Sequence, residues 1–191
     1  MSRIVVDSIR NSSASSDGIT LSSDGKVAFP NTTTGKILQV VQEAKNDTAS
    51  ESTTGNGGIS GDLISKAITP SATSSKVLIR ASIMVCCSDD KMVYAHLFKN
   101  GSVVTAAIGA SASSRQAVSA GTFIQNSNRV FMVTHEYLDS PNTTSATTYS
   151  YRFSHDADSS KTIYLNRSYT DTDNDDFSRG YSSLTLTEVA A

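Results

Sequence analysis

The chain has 191 residues and a formal charge of −2, with 18% charged and 38% apolar residues. That balance leaves no electrostatic footprint for nucleic acid or an anionic membrane, and no stretch approaches the ~18 consecutive apolar residues of a membrane helix. Ser and Thr together number 54. Thr favours strands and Ser favours turns, so the composition leans towards β structure, in one domain plus an extension.

Residues 1–35 read differently from the rest. The opening MSRIVVDSIR lacks the apolar core of a secretory signal, so the six N-x-[S/T] sequons are read as chance in so Ser/Thr-rich a chain. Short apolar patches alternate with NSSASSDG and SSDG, and Asp-Gly at 17–18 and at 24–25 gives two turn signals. GITLSSDGKVAF reads as a small hairpin, with Ile19 and Leu21 on one side of the turn and Val27 and Phe29 on the other. So little apolar surface cannot make its own core. The segment must dock on something, with Ile4, Val6, Ile19, Leu21, Val27 and Phe29 as the contact side chains and Arg3 and Arg10 available for acidic partners.

From Lys36 the pattern strengthens. KILQVVQEAKND starts as a strand and runs into the polar stretch TASESTTGNGGISGD. In KVLIRASIMVCC, Val77, Ile79, Ala81, Ile83, Val85 and Cys87 share one face and Leu78, Arg80, Ser82, Met84 and Cys86 the other, a half-buried strand. Cys86 and Cys87 then point to opposite faces, poorly placed to bridge each other, and read as reduced apolar fillers. MVYAHLFKNGSVVTAAIG places Asn100-Gly101 between two alternating runs, the strongest short hairpin signal. RVFMVTHEYL and TTYSYRFSH follow, joined by the polar corner DSPNTTSA. Tyr149, Tyr151 and Phe153 form a single aromatic face, a candidate for the core or for a subunit interface. KTIYLNRS and SSLTLTEV complete about eight strands between residues 36 and 189. That pattern suits an all-β antiparallel sandwich or jelly roll.

Chemistry-bearing motifs are sparse. His96 and His135 lie within alternating strands, and neither they nor His155 has a G-x-S-x-G elbow to activate. Asp171, Asp173 and Asp175 have the spacing of a calcium loop's first ligands, but Asp176 stands where its Gly belongs and Ser182 where its bidentate Glu belongs. DTDNDD therefore reads as a solvated loop. Glu43, Asp47 and Glu51 are too dispersed for a carboxylate pair. The expectation is a binding or structural module rather than an enzyme, with no catalytic, metal or cofactor site.

GKILQVVQ, ITPSATSSKVLI, YLDSPNTTSATTYSYRF, TIYLNRSYTDTD and RGYSSLTLTEVAA, in that order, resemble a family of short virion proteins of tailed bacteriophages, common in marine phages and described as tail-fibre or structural proteins. The opening IVVDSIRN…GITLSSDGKVAFP is similar to the N-terminal segments of such fibres. The chain departs from the pattern at MVCCSDD. The resemblance implies a virion location, an N-terminal anchor over 1–35 gripping other virion proteins, and a C-terminal jelly-roll head over 36–191. It further implies a homotrimer in the manner of tumour-necrosis-factor-like heads, with a host-surface glycan or receptor as an outer partner. A capsid decoration protein without a receptor role, or a carbohydrate-binding module, are the alternative readings.

Overall fold

The computed structural model describes residues 6–9, 12, 18–21, 23, 25, 27–28, 36–55 and 57–190. Its strands are β1 (Ser8–Ile9), β2 (Ile19–Leu21), β3 (Val27–Ala28), β4 (Ile37–Lys45), β5 (Ala49–Thr53), β6 (Ile64–Ile68) and β7 (Lys76–Cys87). They continue as β8 (Met92–Lys99), β9 (Ser102–Val103), β10 (Ala120–Phe123), β11 (Phe131–Asp139), β12 (Thr147–His155), β13 (Lys161–Leu165) and β14 (Ser182–Val189). All pairings between them are antiparallel.

Several strands share one line of the sheet, so the architecture is simpler than the strand list. β4 pairs with β14 and β5 pairs with β13. β14 lies along Lys76–Ser82 of β7 and β13 along Val85–Cys87, end to end on the same edge. β11 covers the other edge of β7 from Val77 to Val85. The first sheet is thus four lines wide: β4–β5, β14–β13, β7, β11. In the second, β9 and β10 share one edge of β8, whose other edge pairs with β12, which pairs with β6. Numbering the eight lines along the chain, the first sheet reads 1-8-3-6 and the second 2-7-4-5. Two four-line antiparallel sheets connected in that order are a jelly roll.

The inner rows of the sheets make the core. Val77, Ile79, Ile83 and Val85 of β7 are wholly buried, as are Leu184 and Leu186 of β14. Tyr149, Tyr151 and Phe153 face them from β12, each with 0% of its surface exposed. The aromatic face therefore lies inside the protomer and is closed to a partner subunit. His135 joins the sheets across this core: its Nδ1 lies 2.7 Å from the Tyr151 hydroxyl.

Three strands arise where the sequence signals only polar connection. β5 (ASEST) and β10 (AGTF) each lend few apolar side chains, and β6 (ISKAI) contributes only Ile64 and Ile68 fully to the core. Conversely, SVVTAAIG supplies only the two residues of β9. Val104 and Ala107 turn into the core through a 3-10 turn over Thr105–Ala107, and β10 resumes the edge of β8 later. The Asn100-Gly101 turn has φ of 48° and 80°, positive at both positions as a type I′ turn requires. Asn100 also ties the turn to the start of β12: its Oδ1 accepts from Thr148 N at 2.8 Å and its N donates to Thr148 O at 2.9 Å.

β1, β2 and β3 form a separate three-stranded sheet, with Ser8 opposite Thr20 and Leu21 opposite Val27. None of its described residues belongs to the hydrophobic core.

Candidate interaction surface

Alternation that buries one row of each strand exposes the other, and on the first sheet the outer row is unusually apolar at one end. Val40 lies opposite Thr187, Thr187 opposite Leu78, and Leu78 opposite Leu138, giving a continuous row across the sheet. Val40 is 56% exposed and Leu138 47%, with Leu38 beside them at 40%. The next row is Gln42, Thr185, Arg80 and Glu136, where Arg80 Nε and the Glu136 carboxylate form an ion pair open to solvent. Beyond it run Ala44, Ser183, Ser82 and Thr134. An exposed pair of this kind contributes little to stability, at most ~1 kcal/mol. A second apolar feature is the edge of the other sheet, where Val103 of β9 and Phe123 of β10 stand exposed.

The same face is covered over Met84, while Met132 opposite it stays exposed. The 166–181 loop leaves between β13 and β14, inside the sheet rather than at its end. Gly180 lies directly over Met84, where a Cβ would approach Met84 Cβ to 2.8 Å. The loop meets the 124–130 connection: Tyr169 N donates to Ser127 O at 2.9 Å. Cys86 Sγ donates to the same carbonyl at 2.9 Å. Cys86 is thus buried from the outside and Cys87 from the inside, both as free thiols. Burial pushes the Cys86 thiol up to about 11, so it stays protonated and inert at neutral pH.

The seam beneath the loop is tightly bonded. Asn166 has φ of 60° and is fully buried. Its Nδ2 donates to Lys45 O and Asp47 O at 2.8 and 2.9 Å, and its Oδ1 accepts from Ser182 Oγ at 2.6 Å. Ser182 Oγ in turn accepts from Met84 N.

Two buried acids hold the opposite end, where β4 begins and β14 ends. Glu188, wholly buried, accepts from Gln39 Nε2, Ser71 N and Ser71 Oγ at 2.6–2.7 Å. Burial alone would raise this carboxyl, but the donors from Ser71, Gln39 and Ser75 win and hold it at about 2. Asp139 takes Lys99 Nζ at 2.9 Å and the Tyr149 hydroxyl at 2.6 Å on one oxygen, tying the two sheets together. The motifs ITPSATSS and YLDSP thus carry structural hydrogen-bonding roles.

Of the anchor residues expected from sequence, Val6, Leu21 and Val27 are exposed and Ile19 is half-buried. Ile4 and Phe29 lie outside the described residues, as do Arg3 and Arg10. Ile9, which sequence reasoning passed over, is exposed on the same small sheet. His96 Nε2 lies 2.8 Å from Ser154 Oγ, but Ser154 is wholly buried on the second sheet. His155, also buried, accepts from Ala157 N on Nδ1. In the acidic loop, Asp171 is claimed by Arg179 at 2.8 Å and Arg167 at 4.0 Å, and the described residues hold no cluster of three metal-ligating side chains.

Fold and surface together define an antiparallel jelly roll with an apolar outer row on one sheet. No protein-family model and no curated protein matches the chain. A solved structure of infectious bursal disease virus, Gx strain, is similar at a TM-score of 0.40 and 13% identity, over 80% of this chain and 40% of that one. The chain accordingly spans less than half the length of that neighbour.

Proposed function

We propose that the chain is a structural subunit of a tailed-bacteriophage virion, a fibre or spike protein held to the particle by its N-terminal segment and displaying the jelly roll as a homotrimer. The observation that carries this reading is the row Val40–Thr187–Leu78–Leu138, apolar but for Thr187, exposed at its two ends and half-buried between them. A largely apolar row on the solvent side of a well-packed domain marks a contact surface. Val103 and Phe123 stand exposed at the two ends of one edge of the other sheet, opposite Phe98 and Met92. A face on one protomer meeting an edge on the next is a heterologous contact, which closes into a ring when the rotation between copies divides a full turn. Three copies are what the sequence resemblance implies.

The small sheet β1–β3 fits the same reading. Val6, Ile9, Leu21 and Val27 gain several kcal/mol if covered, at ~25 cal/mol per Å². Ordering the segment costs roughly 1–2 kcal/mol for each residue's backbone. A partner surface restores that balance. A free carbohydrate-binding module has no need of such a segment, and a capsid decoration protein would use it in the same way as a fibre. The reading assigns no catalytic step.

Mass measurement in solution tests the trimer. Val40→Glu and Leu138→Glu place a charge in the strip without touching the core, and should give folded monomers. A wild-type monomer at micromolar concentration would sink the trimer. Deleting residues 2–30 should leave a folded head that no longer joins particles; normal incorporation of that variant would place the attachment elsewhere.

A further inference from the structure

We propose that the cleft between the 124–130 and 166–181 loops is a carbohydrate-binding site, with Phe177 as the surface against which a sugar ring stacks. The proposal rests on the reading of the jelly roll as a displayed head. Ile37 pairs with Val189, and Ala190 N donates to Lys36 O at 2.9 Å, so the N-terminal segment joins at one end of the sheets. The 124–130 loop joins Phe123, opposite Met92, to Phe131, opposite Val85, towards the other end. The 166–181 loop leaves β13 at Leu165, also opposite Val85. The cleft therefore lies towards the end of the sheets opposite Lys36.

The chemistry of its walls selects the ligand class. A cavity of about 230 Å³ is lined by Asn126, Asn128, Arg129, Asp176 and Phe177. One guanidinium and one carboxylate cancel in charge, and neither Arg129 nor Asp176 makes an ion pair among the described residues. Arg129 offers only donors, Asp176 only acceptors, and the two amides offer both. An anion would meet Asp176, a cation would meet Arg129, and a hydrocarbon would leave four polar groups without partners. A neutral ring of vicinal hydroxyls, each both donor and acceptor, matches the set. The half-buried Phe177 ring supplies an apolar face for the sugar's C–H side. Phe177 also lines a second cavity, of about 300 Å³, that includes Asp173, Asn174 and Arg179. Phe177 thus borders two cavities, which gives room for more than one sugar unit beside the ring.

Both walls are set before any ligand arrives, which lowers the ordering cost of binding. Asn126 Oδ1 accepts from Asn128 N at 2.9 Å, and Asn174 Oδ1 from Asp176 N at 3.0 Å. Ser127 N donates to Asp90 Oδ1 at 2.9 Å, pinning the first loop to the β7–β8 connection.

Saturation-transfer NMR on the full chain tests the site, with methyl glycosides of glucose, galactose, mannose and N-acetylglucosamine as probes and sialic acid and glucosamine as charged controls. At least one neutral glycoside should bind. Phe177→Ala, Arg129→Ala and Asp176→Asn should each weaken it tenfold or more, the last two being exposed changes that leave packing alone. Binding of none of the neutral probes, preference for a charged control, or binding indifferent to all three substitutions would overturn the proposal. Mass and particle incorporation are read on the same proteins. A trimeric, incorporated protein that binds no glycoside removes the site alone. Loss of trimer or incorporation in the wild type strikes the virion reading instead.

Discussion

Asn166 reaches across the seam between β13 and β14 and donates from Nδ2 to the Lys45 carbonyl at 2.8 Å. One side chain thus joins the two interrupted lines of the sheet, and Ser182 carries the link on to Met84 of β7. Asn166→Ala leaves the Lys45 and Asp47 carbonyls and the Ser182 hydroxyl without that partner, at about 1 kcal/mol each, and puts Ala at a positive φ for about 1 kcal/mol more. The expected loss is about 3–4 kcal/mol in urea unfolding. A loss below ~1 kcal/mol would show that the seam is held elsewhere.

Glu188 links stability to acid. Its folded pKa of about 2 lies below the ordinary 4.5, so the unfolded chain binds the proton first. The carboxylate's contribution is complete above pH 4.5 and is lost as pH falls towards 2, on the order of 2–3 kcal/mol in all. Glu188→Gln should be less stable at pH 7 and should lack this part of the acid dependence. Parallel stability–pH curves for the two proteins between pH 4.5 and 2 would refute the assignment.

Two histidines act at higher pH with the same sign. Burial lowers His96 and His135 from the ordinary 6.5, favouring the neutral ring in the folded state. Protonation of the unfolded chain then draws stability down as pH falls below 6.5, until the folded rings titrate in turn. The double variant His96→Gln, His135→Gln should show a flatter melting temperature between pH 6.5 and 5 than the wild type. An unchanged slope there would contradict the reading.

The Asn100-Gly101 turn isolates backbone strain. A Cβ at Gly101 would meet nothing within 4 Å, yet its φ of 80° is one that side-chain-bearing residues rarely adopt. Gly101→Val should cost about 1–2 kcal/mol with no clash to relieve. An unchanged melting temperature would mean the turn had switched type.

The alternation of β7 and the aromatic row of β12 were legible because each places apolar residues at every second position over a long run. β5 and β10 were not, since ASEST and AGTF become strands through pairing with β13 and β8 and not through their own side chains. β6, an outer line paired only with β12, shows two apolar positions in five. The outer strip escaped for another reason. Leu78 and Leu138 are apolar like the core, and only the register that puts them opposite each other on the solvent side separates the two roles. Asn166 gave no signal, because the two carbonyls it bonds lie 121 and 119 residues away and meet it only in the finished sheet.

The pairing of β4 with β14 has a mechanical side. A pull on residue 36 away from the head acts along the length of β4, which begins at that end and is bonded to β14 from Ile37 to Lys45. The hydrogen bonds lie across the direction of force, so they resist sliding together instead of opening one after another. On the proposed attachment through the N-terminal segment, β4 is loaded in shear, the geometry in which a sheet best bears tension. A domain pulled through this strand would hold its sheet together instead of unravelling from its root.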